Sequence, residues 1–418
     1  MEYYQHQKNI IADDPLWSGL FLGTGSGKTK IATNLAKKIT LVICPKTQTL
    51  DGTWTKEWKT SKKPLGTLYM LSYEQFKKAC KNGDIWKYPK PTTIIFDEAH
   101  KAYGVRTETT QADYVQYPKT STVFNYVKQY IELIKPQRMY FLTATPTPTP
   151  LAVWAAGVLL GKNWDYFKFR QTFYFQKGGS GRPIWMTIKT QSKKEQLARI
   201  VNSLGYTGRL QDWFDVPPQT FKVHDVGTTK QMEACLPELK ELYPDPLVQL
   251  GKRHQLEQGI YEDTLLKENK IEAILKYYQE FEKIVVFCKY TKQIEMYEKA
   301  LKKQATVYVL NGATKDRGSV IENSNRSRNC ILLVQSSISA GYELPDFPCM
   351  VFASESYSFV DRDQAEGRIL RANNLKKNLY VTLVAGAIDE KVHALVKDKQ
   401  DFAEHIFAKK FNKMNKLR

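Results

Sequence analysis

The sequence predicts an α/β protein of two tandem domains, each a parallel sheet covered by helices. Three observations carry this. The strand-like segments are short, nearly continuous apolar runs rather than alternating ones. Such runs need burial on both faces, which parallel sheets provide. Helical patterns separate the runs, and a chain of 418 residues suits two ordinary cores better than one.

In the first part the strand runs are residues 20–22, 41–43, 68–71, 94–96 and 139–142. In the last part they are 284–287, 307–310, 331–334, 350–352 and 379–384. Between them, Ile271, Ile274, Leu275 and Tyr278 fall on one helical stripe, and Ile294, Tyr297 and Leu301 on another. The middle third differs. Residues 146–150 alternate Pro and Thr, which ends a strand and delays any helix. An aromatic-rich stretch over 154–174 and a Gly-rich turn at 178–181 follow. An amphipathic helix is expected over 193–204, with Leu197, Ile200, Val201 and Leu204 inward. Asp215-Val216-Pro217-Pro218 reads as a linker. The expected domains are 1–215, carrying a mainly helical insertion at about 150–215, and 216–418.

The formal charge is +19, from 62 Lys+Arg against 43 Asp+Glu, which favours a polyanionic partner through counterion release. The six cysteines are scattered without a Cys-x-x-Cys spacing and several lie in strand-like runs, so they read as reduced core thiols. No signal-peptide pattern opens the chain, and the longest apolar run, 151–160, is too short for a bilayer. A soluble, cytoplasmic protein with no membrane partner is expected. The last ten residues carry five bases and no acid, a composition that suits either a frayed end or a phosphate contact.

Two motifs carry chemistry. Gly23-Thr24-Gly25-Ser26-Gly27-Lys28-Thr29 follows the first strand and runs into a helix. Glycines there let backbone N–H groups approach phosphate oxygens, and the helix N-terminus adds partial positive charge. Gly25, Ser26 and Gly27 would cradle a triphosphate, Lys28 would reach its β- and γ-phosphates, and Thr29 would hold Mg²⁺. Leu22 stands where the usual loop has its first glycine. About seventy residues later, Asp97-Glu98-Ala99-His100 ends a strand at the ligand-binding edge of such a sheet. Asp97 would bind Mg²⁺ through water, and Glu98 would orient and deprotonate an attacking water. The expected cofactors are therefore ATP and Mg²⁺.

Thr143-Ala144-Thr145-Pro146 and Gln364-Ala365-Glu366-Gly367-Arg368-Ile369-Leu370-Arg371 make the pattern specific. With Lys28 and the Asp97 to His100 run, they resemble motifs III, VI, I and II of superfamily-2 helicases. Gln7 sits where that superfamily places an adenine-sensing glutamine. Pro45 with Trp54 and Glu57 resembles motif Ia, and Ser339-Ala340-Gly341-Tyr342-Glu343-Leu344 resembles motif V. The match covers about residues 3–402. Leu71-Ser72-Tyr73-Glu74, the run 212–223, Lys270-Ile271-Glu272-Ala273 and Ala387-Ile388-Asp389-Glu390 are similar to segments of the Swi/Snf-type double-stranded DNA translocases. Thr-Ala-Thr in motif III and the form of motif V depart from that group, and Thr-Ala-Thr is shared with strand-separating relatives.

The resemblance implies two tandem RecA-like domains and a DNA-dependent ATPase that moves on DNA. Gln364 would lie beside the γ-phosphate, Arg368 and Arg371 would act as arginine fingers, and Gly341 would line the nucleotide site. His100, Thr143 and Thr145 would couple hydrolysis to movement. Nucleic acid would meet Lys46, Thr47, Ser72, Lys289, Asn311 and Ser339, among short polar groups that bind phosphate without reading sequence. Trp54, Trp58, Trp154, Trp164 and Trp213 are either stacking or core residues. Duplex DNA is the expected partner ahead of RNA, with a monomer as the working state. A minimal motor of this kind resembles helicases of phage or prophage replication modules, in a host-cell cytoplasm. Strand separation, and a nucleotide-gated clamp that recruits partners, stay open as alternatives.

Overall fold

A computed structural model describes residues 3–407 apart from 62–65, 108–117, 146–148, 178–183, 189, 263, 268, 339–340 and 371–376. The chain divides into two compact units, one built on Met1–Trp213 and the other on Phe214–Gln400.

The first unit holds a six-stranded sheet of β1 (Trp17–Leu22), β2 (Thr40–Cys44), β3 (Leu68–Ser72), β4 (Thr93–Asp97), β5 (Arg138–Leu142) and β6 (Gly205–Gly208). Their order is β6-β1-β5-β4-β2-β3, and every pairing is parallel. The apolar runs form these strands because both faces are covered. Phe21, Ile43, Ile94, Phe96 and Phe141 enter one core with the helices Tyr73–Asn82, Thr122–Ile134 and Pro150–Leu159. Leu20, Leu22, Val42, Ile95 and Leu142 enter the opposite core with Ile31 and Leu35 of the helix Lys28–Leu35.

The second unit repeats the design with β7 (Gln219–Asp225), β8 (Lys283–Cys288), β9 (Val307–Leu310), β10 (Cys330–Gln335), β11 (Cys349–Phe352) and β12 (Asn378–Val384). The order is β7-β12-β11-β8-β10-β9, again parallel throughout. Ile284, Val286 and Cys288 face one core while Val285 and Phe287 face the other. Both units are RecA-like: a parallel sheet between two layers of helices.

All ten apolar runs are strands. Two further strands carry weak signals. β6 is Gly-Tyr-Thr-Gly, and β7 is an edge strand whose Phe221 and Val223 are exposed. β6 alters the picture of residues 150–215. Helices Pro150–Leu159 and Gln191–Ser203 bury Val153, Ala155, Leu197 and Val201 in the main core, and the segment returns to pair with β1. A helical majority is present, with one antiparallel hairpin, Tyr174–Lys177 with Ile184–Thr187. In the helix Gln191–Ser203 the inward face includes Ala198 in place of Ile200, which is half-buried. In the helix Lys270–Phe281 the most buried positions are Lys270, Ala273, Ile274 and Tyr277, so the face turns by about one position from the apolar stripe. Lys270 is the reason, since its buried ammonium takes one place on that face.

All six cysteines are thiols outside any disulfide, four of them buried. Among the described residues no helix is long and apolar enough to cross a membrane.

β6 lies so close to β1 that a Cβ on Gly205 would fall 2.0 Å from the Gly19 carbonyl oxygen. Overpacking of this kind costs about 1–3 kcal/mol. Gly205→Ala is therefore expected to lower the urea midpoint, and an unchanged midpoint would remove the close β1–β6 approach from the account.

Candidate functional site

The first-unit site follows from strand register. β5 lies between β1 and β4, with Leu20 and Asp97 both level with Leu142. Adjacent strands are about 4.8 Å apart. The loop after β1, Thr143 after β5 and Asp97 at the end of β4 therefore share one short stretch of the carboxyl edge. The chain leaves β1 and crosses two strands to reach β2, which opens the crevice where ligands sit in such sheets.

Gly25 and Gly27 have φ of 81° and 80°, a left-handed conformation that glycine adopts without Cβ strain. Gly27 caps the helix Lys28–Leu35 with no side chain, so first-turn N–H groups point outward as an anion site. Lys28 Nζ donates to Leu22 O at 2.8 Å and Gly23 O at 3.2 Å, which folds the ammonium over the loop. Ser26 is buried and its Oγ lacks a hydrogen-bond partner within the protein. Thr29 stands half-buried in the first helical turn. Leu22, at the position usually held by glycine, is the buried last residue of β1.

The helix Gln5–Asp13 buttresses this loop. Gln7 Nε2 and His6 Nε2 each lie 3.0 Å from the Ser26 carbonyl oxygen, and Gln7 Oε1 accepts from the Tyr4 N–H at 3.2 Å. His6 stacks on Trp213 with centroids 4.1 Å apart. Burial lowers the His6 pKa, and its hydrogen bond to Ser26 opposes this. Gln7 is thus built into the loop, since a Cβ on Gly27 would meet its Nε2 at 2.3 Å.

Asp97 is buried. Its Oδ2 accepts from Trp54 Nε1 and its Oδ1 from the Glu98 N–H, both at 2.9 Å. Burial and the neighbouring Glu98 push its pKa up to about 6 against the opposing pull of Lys28. Glu98 occupies the left-handed region at φ 49°, a conformation that costs a non-glycine residue about 1–3 kcal/mol. Its Oε2 is buried without a hydrogen bond inside the protein. Tyr73 Oη donates to the Asp97 carbonyl at 3.0 Å. His100 Nδ1 lies 3.2 Å from Thr143 Oγ1 and 3.4 Å from Glu98 Oε2. Burial drives the His100 pKa down to about 3, so the ring is neutral and its approach to Glu98 is not an ion pair. Thr143 Oγ1 also accepts from the Thr145 N–H at 3.1 Å, and both threonines are buried. One hydrogen-bonded run therefore joins the end of β4 to the end of β5.

These observations fit a phosphate and a divalent cation. The loop offers outward N–H groups and a lysine, while Ser26 Oγ and Glu98 Oε2 are buried polar atoms that only an added group would satisfy. Among the described residues no cluster of three His, Cys, Asp or Glu could hold a metal alone. Mg²⁺ is commonly held by one or two side chains together with phosphates and water.

In the second unit, Gln364 is buried in the helix Phe359–Glu366. Arg368 follows that helix. Its Nε donates to Gln364 O at 3.0 Å and its Nη1 to Tyr342 O at 2.8 Å, beside Gly341 at φ 90°. Arg371 and Ser339 lie outside the described residues. Among the other expected contacts, Lys46 is exposed and Thr47 half-buried at the start of the helix Lys46–Asp51. Asn311 closes a turn after β9, its Oδ1 accepting from the Ala313 N–H at 3.0 Å. Two of the expected contacts have partners inside the protein. Ser72 is buried as the cap of the helix Tyr73–Asn82, its Oγ accepting from the Gln75 N–H, and so does not face solvent. Lys289 turns inward, its Nζ 3.3 Å from His254 Nδ1 and 4.0 Å from the Tyr357 ring centre. Trp54 is fully buried on Asp97, which excludes it as a stacking platform, and Trp154 packs in the core with its Nε1 on Trp164 O. Trp54 and Tyr73 as supports of Asp97, and Tyr342 as the seat of Arg368, were not foreseeable from local pattern, because each contact spans more than twenty residues.

Residues 267–373 match the helicase conserved C-terminal domain. No curated protein matches the chain. A solved structure of the Sulfolobus solfataricus SWI2/SNF2 ATPase core in complex with dsDNA is similar at 16% identity. That alignment covers all of this chain and 95% of the other, with a TM-score of 0.39. The chain thus has two RecA-like units, a glycine-rich loop and an Asp-Glu-Ala-His run at one sheet edge of the first, and a segment matching the helicase C-terminal domain in the second.

The elevated Asp97 pKa has a testable sign. A carboxyl whose pKa is raised on folding binds its proton more tightly in the native state, so its stabilising contribution falls as pH rises from about 4 to about 6. In metal-free protein, Asp97→Asn is expected to be less stable than wild type near pH 4 relative to the same comparison at pH 7, by urea unfolding. A wild-type-minus-variant difference that does not change with pH would contradict the raised value.

Proposed function

We propose that the protein is an ATP-driven motor of the Swi/Snf type that translocates on duplex DNA without reading its sequence. The observation that carries this is the convergence of Lys28, Asp97, Glu98 and Thr143 on one sheet edge, together with the helicase C-terminal segment. The net charge of +19 supports a polyanionic track.

Bound Mg-ATP would supply the reacting γ-phosphoryl group and a cation to offset its charge. Gly25, Ser26 and Gly27 would offer backbone N–H groups to the phosphates, and Thr29 and Asp97 would hold the cation. Lys28 would exchange its two carbonyl partners for phosphate oxygens, a trade of neutral acceptors for charged ones. Glu98 would take the proton from the attacking water as that oxygen bonds to the γ-phosphorus and the bond to the leaving diphosphate breaks. Gln364, Arg368 and Arg371 would complete the site from the second unit. A guanidinium suits this role because its charge is fixed and it can chelate spreading phosphoryl charge. Arg368 would leave the Tyr342 carbonyl to do so, which ties its release to the segment holding Gly341. His100, Thr143 and Thr145 would pass the state of Glu98 to the neighbouring strand. Gln7 would act on the loop through Ser26 as well as on the base.

Hydrolysis measured with duplex DNA, single-stranded DNA and RNA tests the substrate, with duplex expected to stimulate most. Stronger stimulation by single strands or by RNA would favour a strand-separating helicase. Displacement of a third strand from a triplex tests movement, since a nucleotide-gated clamp would hydrolyse ATP and leave that strand bound.

Glu98→Gln is expected to lower duplex-stimulated turnover roughly 100- to 10,000-fold while nucleotide binding persists. Arg368→Lys is expected to cost about 1,000-fold or more in turnover at unchanged nucleotide affinity. Wild-type turnover by Glu98→Gln would refute the assignment of the base.

A further inference from the structure

The second unit contains a closed polar circuit that begins and ends on Lys289. Its Nζ lies 3.3 Å from His254 Nδ1. His254 Nε2 lies 3.1 Å from Asp389 Oδ1, and Asp389 Oδ2 accepts from Lys270 Nζ at 2.6 Å. Lys270 also donates to Gln258 Oε1 at 2.5 Å, which accepts from Gln293 Nε2 at 3.2 Å. Gln293 Oε1 accepts from Ser354 Oγ at 2.6 Å, and Ser354 Oγ accepts from the Lys289 backbone N–H at 2.7 Å. His254, Gln258, Lys270, Gln293, Ser354 and Asp389 are all buried. The circuit joins the helices Pro246–Leu256, Lys270–Phe281, Thr291–Leu301 and Ala387–Phe407 to the end of β8.

The geometry fixes the protons. Asp389 also accepts from Gln258 Nε2 at 2.8 Å and the Ala385 N–H at 3.1 Å, three donors in all with Lys270, while His254 Nε2 stands 3.1 Å from Oδ1 without the alignment of a hydrogen bond. Burial would raise its pKa, but the charge of Lys270 and these donors prevail and hold it below the usual range. Two donors face His254 Nδ1, so the neutral ring carries its proton on Nε2, on the side of Asp389. Nδ1 then receives Tyr290 Oη at 2.9 Å and the Lys289 ammonium. The rings of Tyr357 and Tyr290, 4.0 and 5.1 Å from Nζ, complete a cage. Burial lowers the Lys289 pKa to about 8, opposed by Asp389.

We propose that Lys289 is a positioning residue, held inside the unit by the Lys270–Asp389–His254 chain, that fixes the turn between β8 and the helix Thr291–Leu301 instead of pairing with a phosphate. This rests on the nucleic-acid motor reading, in which that turn lies at the DNA-facing edge. The buried circuit gives Lys289 a partner for both its ammonium and its backbone N–H, so the turn enters a complex already ordered. His254 must stay neutral for this. The groups facing it are Asp389, Lys270, Lys289, Tyr290 and Tyr357, and protonation would remove the acceptor and set two cations 3.3 Å apart. Burial lowers the His254 pKa from its ordinary 6.5, so the circuit is intact at neutral pH and opens only as pH falls through that lowered value.

The test uses the full chain and a duplex oligonucleotide titrated between about 50 and 200 mM salt. For Lys289→Gln, affinity is expected to fall several-fold at each salt concentration while the slope of log K against log salt stays at the wild-type value. A slope reduced by about one unit would mean a lost phosphate contact and overturn the proposal. Lys289→Arg keeps the charge but does not fit the cage, so it is expected to bind as weakly as Lys289→Gln; rescue of wild-type affinity by Lys289→Arg would also overturn it. His254→Gln keeps one donor and one acceptor and cannot titrate, and its duplex affinity is expected to lack the acid-side decline expected of wild type. Melting temperatures without DNA keep the two readings apart. His254→Leu and Lys289→Gln are expected to shift the melting temperature non-additively in the double variant, as neighbours in one network do. Additive shifts would overturn the circuit even if the chain binds duplex, whereas a wild-type protein that ignores duplex but shows non-additive shifts would refute the motor reading alone.

Discussion

A carboxylate withdrawn from water must be met by donors or held neutral, and the two units answer this constraint in opposite ways. Asp389 has three donors, one of them a lysine ammonium, and its charge is fixed in place. Asp97 has two neutral donors, an indole N–H and a backbone N–H, and its pKa is raised. The first arrangement is complete and structural. The second is short of positive charge at the point where the sheet edge meets the phosphate loop, which is the electrostatic condition for recruiting a cation. The rest of each unit serves to keep these two environments distinct.

Parallel sheets make the Asp97 arrangement attainable. Covered on both faces, they leave their carboxyl edges as the place where loops can gather polar groups. Level register across β1, β5 and β4 sets Lys28, Thr143 and Asp97 side by side. His100 then bridges β4 to β5 through Thr143, and its burial keeps it neutral at working pH. A neutral imidazole can accept or donate, so the bridge reports on hydrogen bonding at Glu98 and not on charge alone.

Much of this was legible in the chain. Ten apolar runs are strands because burial on both faces leaves a signal in composition alone, and the glycines of the phosphate loop stand out because φ near 80° needs them. β6 and β7 were not legible. One is rich in glycine to fit against Gly19, and the other is an edge strand with exposed apolar residues, so neither reads as a buried run. The acidic pair was visible as a motif, but its support from Trp54 and Tyr73 depends on contacts across 43 and 24 residues. Lys289 and Ser72 have inward partners that stay hidden in the sequence for a common reason. A polar residue at a strand end reads as a surface contact, and only packing reveals an inward partner.

β6 also has a bearing on where this chain can be cut. It is the last strand to join the first sheet, it borders the strand that feeds the phosphate loop, and Gly23 N–H donates to Gly208 O at 2.8 Å. Trp213, just beyond it, stacks on the His6 ring that braces the loop from the other side. A fragment ending soon after the Thr-Ala-Thr run would hold every recognisable nucleotide motif of the first half yet leave a bare sheet margin beside its binding loop. A piece of the first unit that keeps β6 and the stacking on His6 therefore extends through Trp213, some seventy residues past the last motif that a sequence scan would mark.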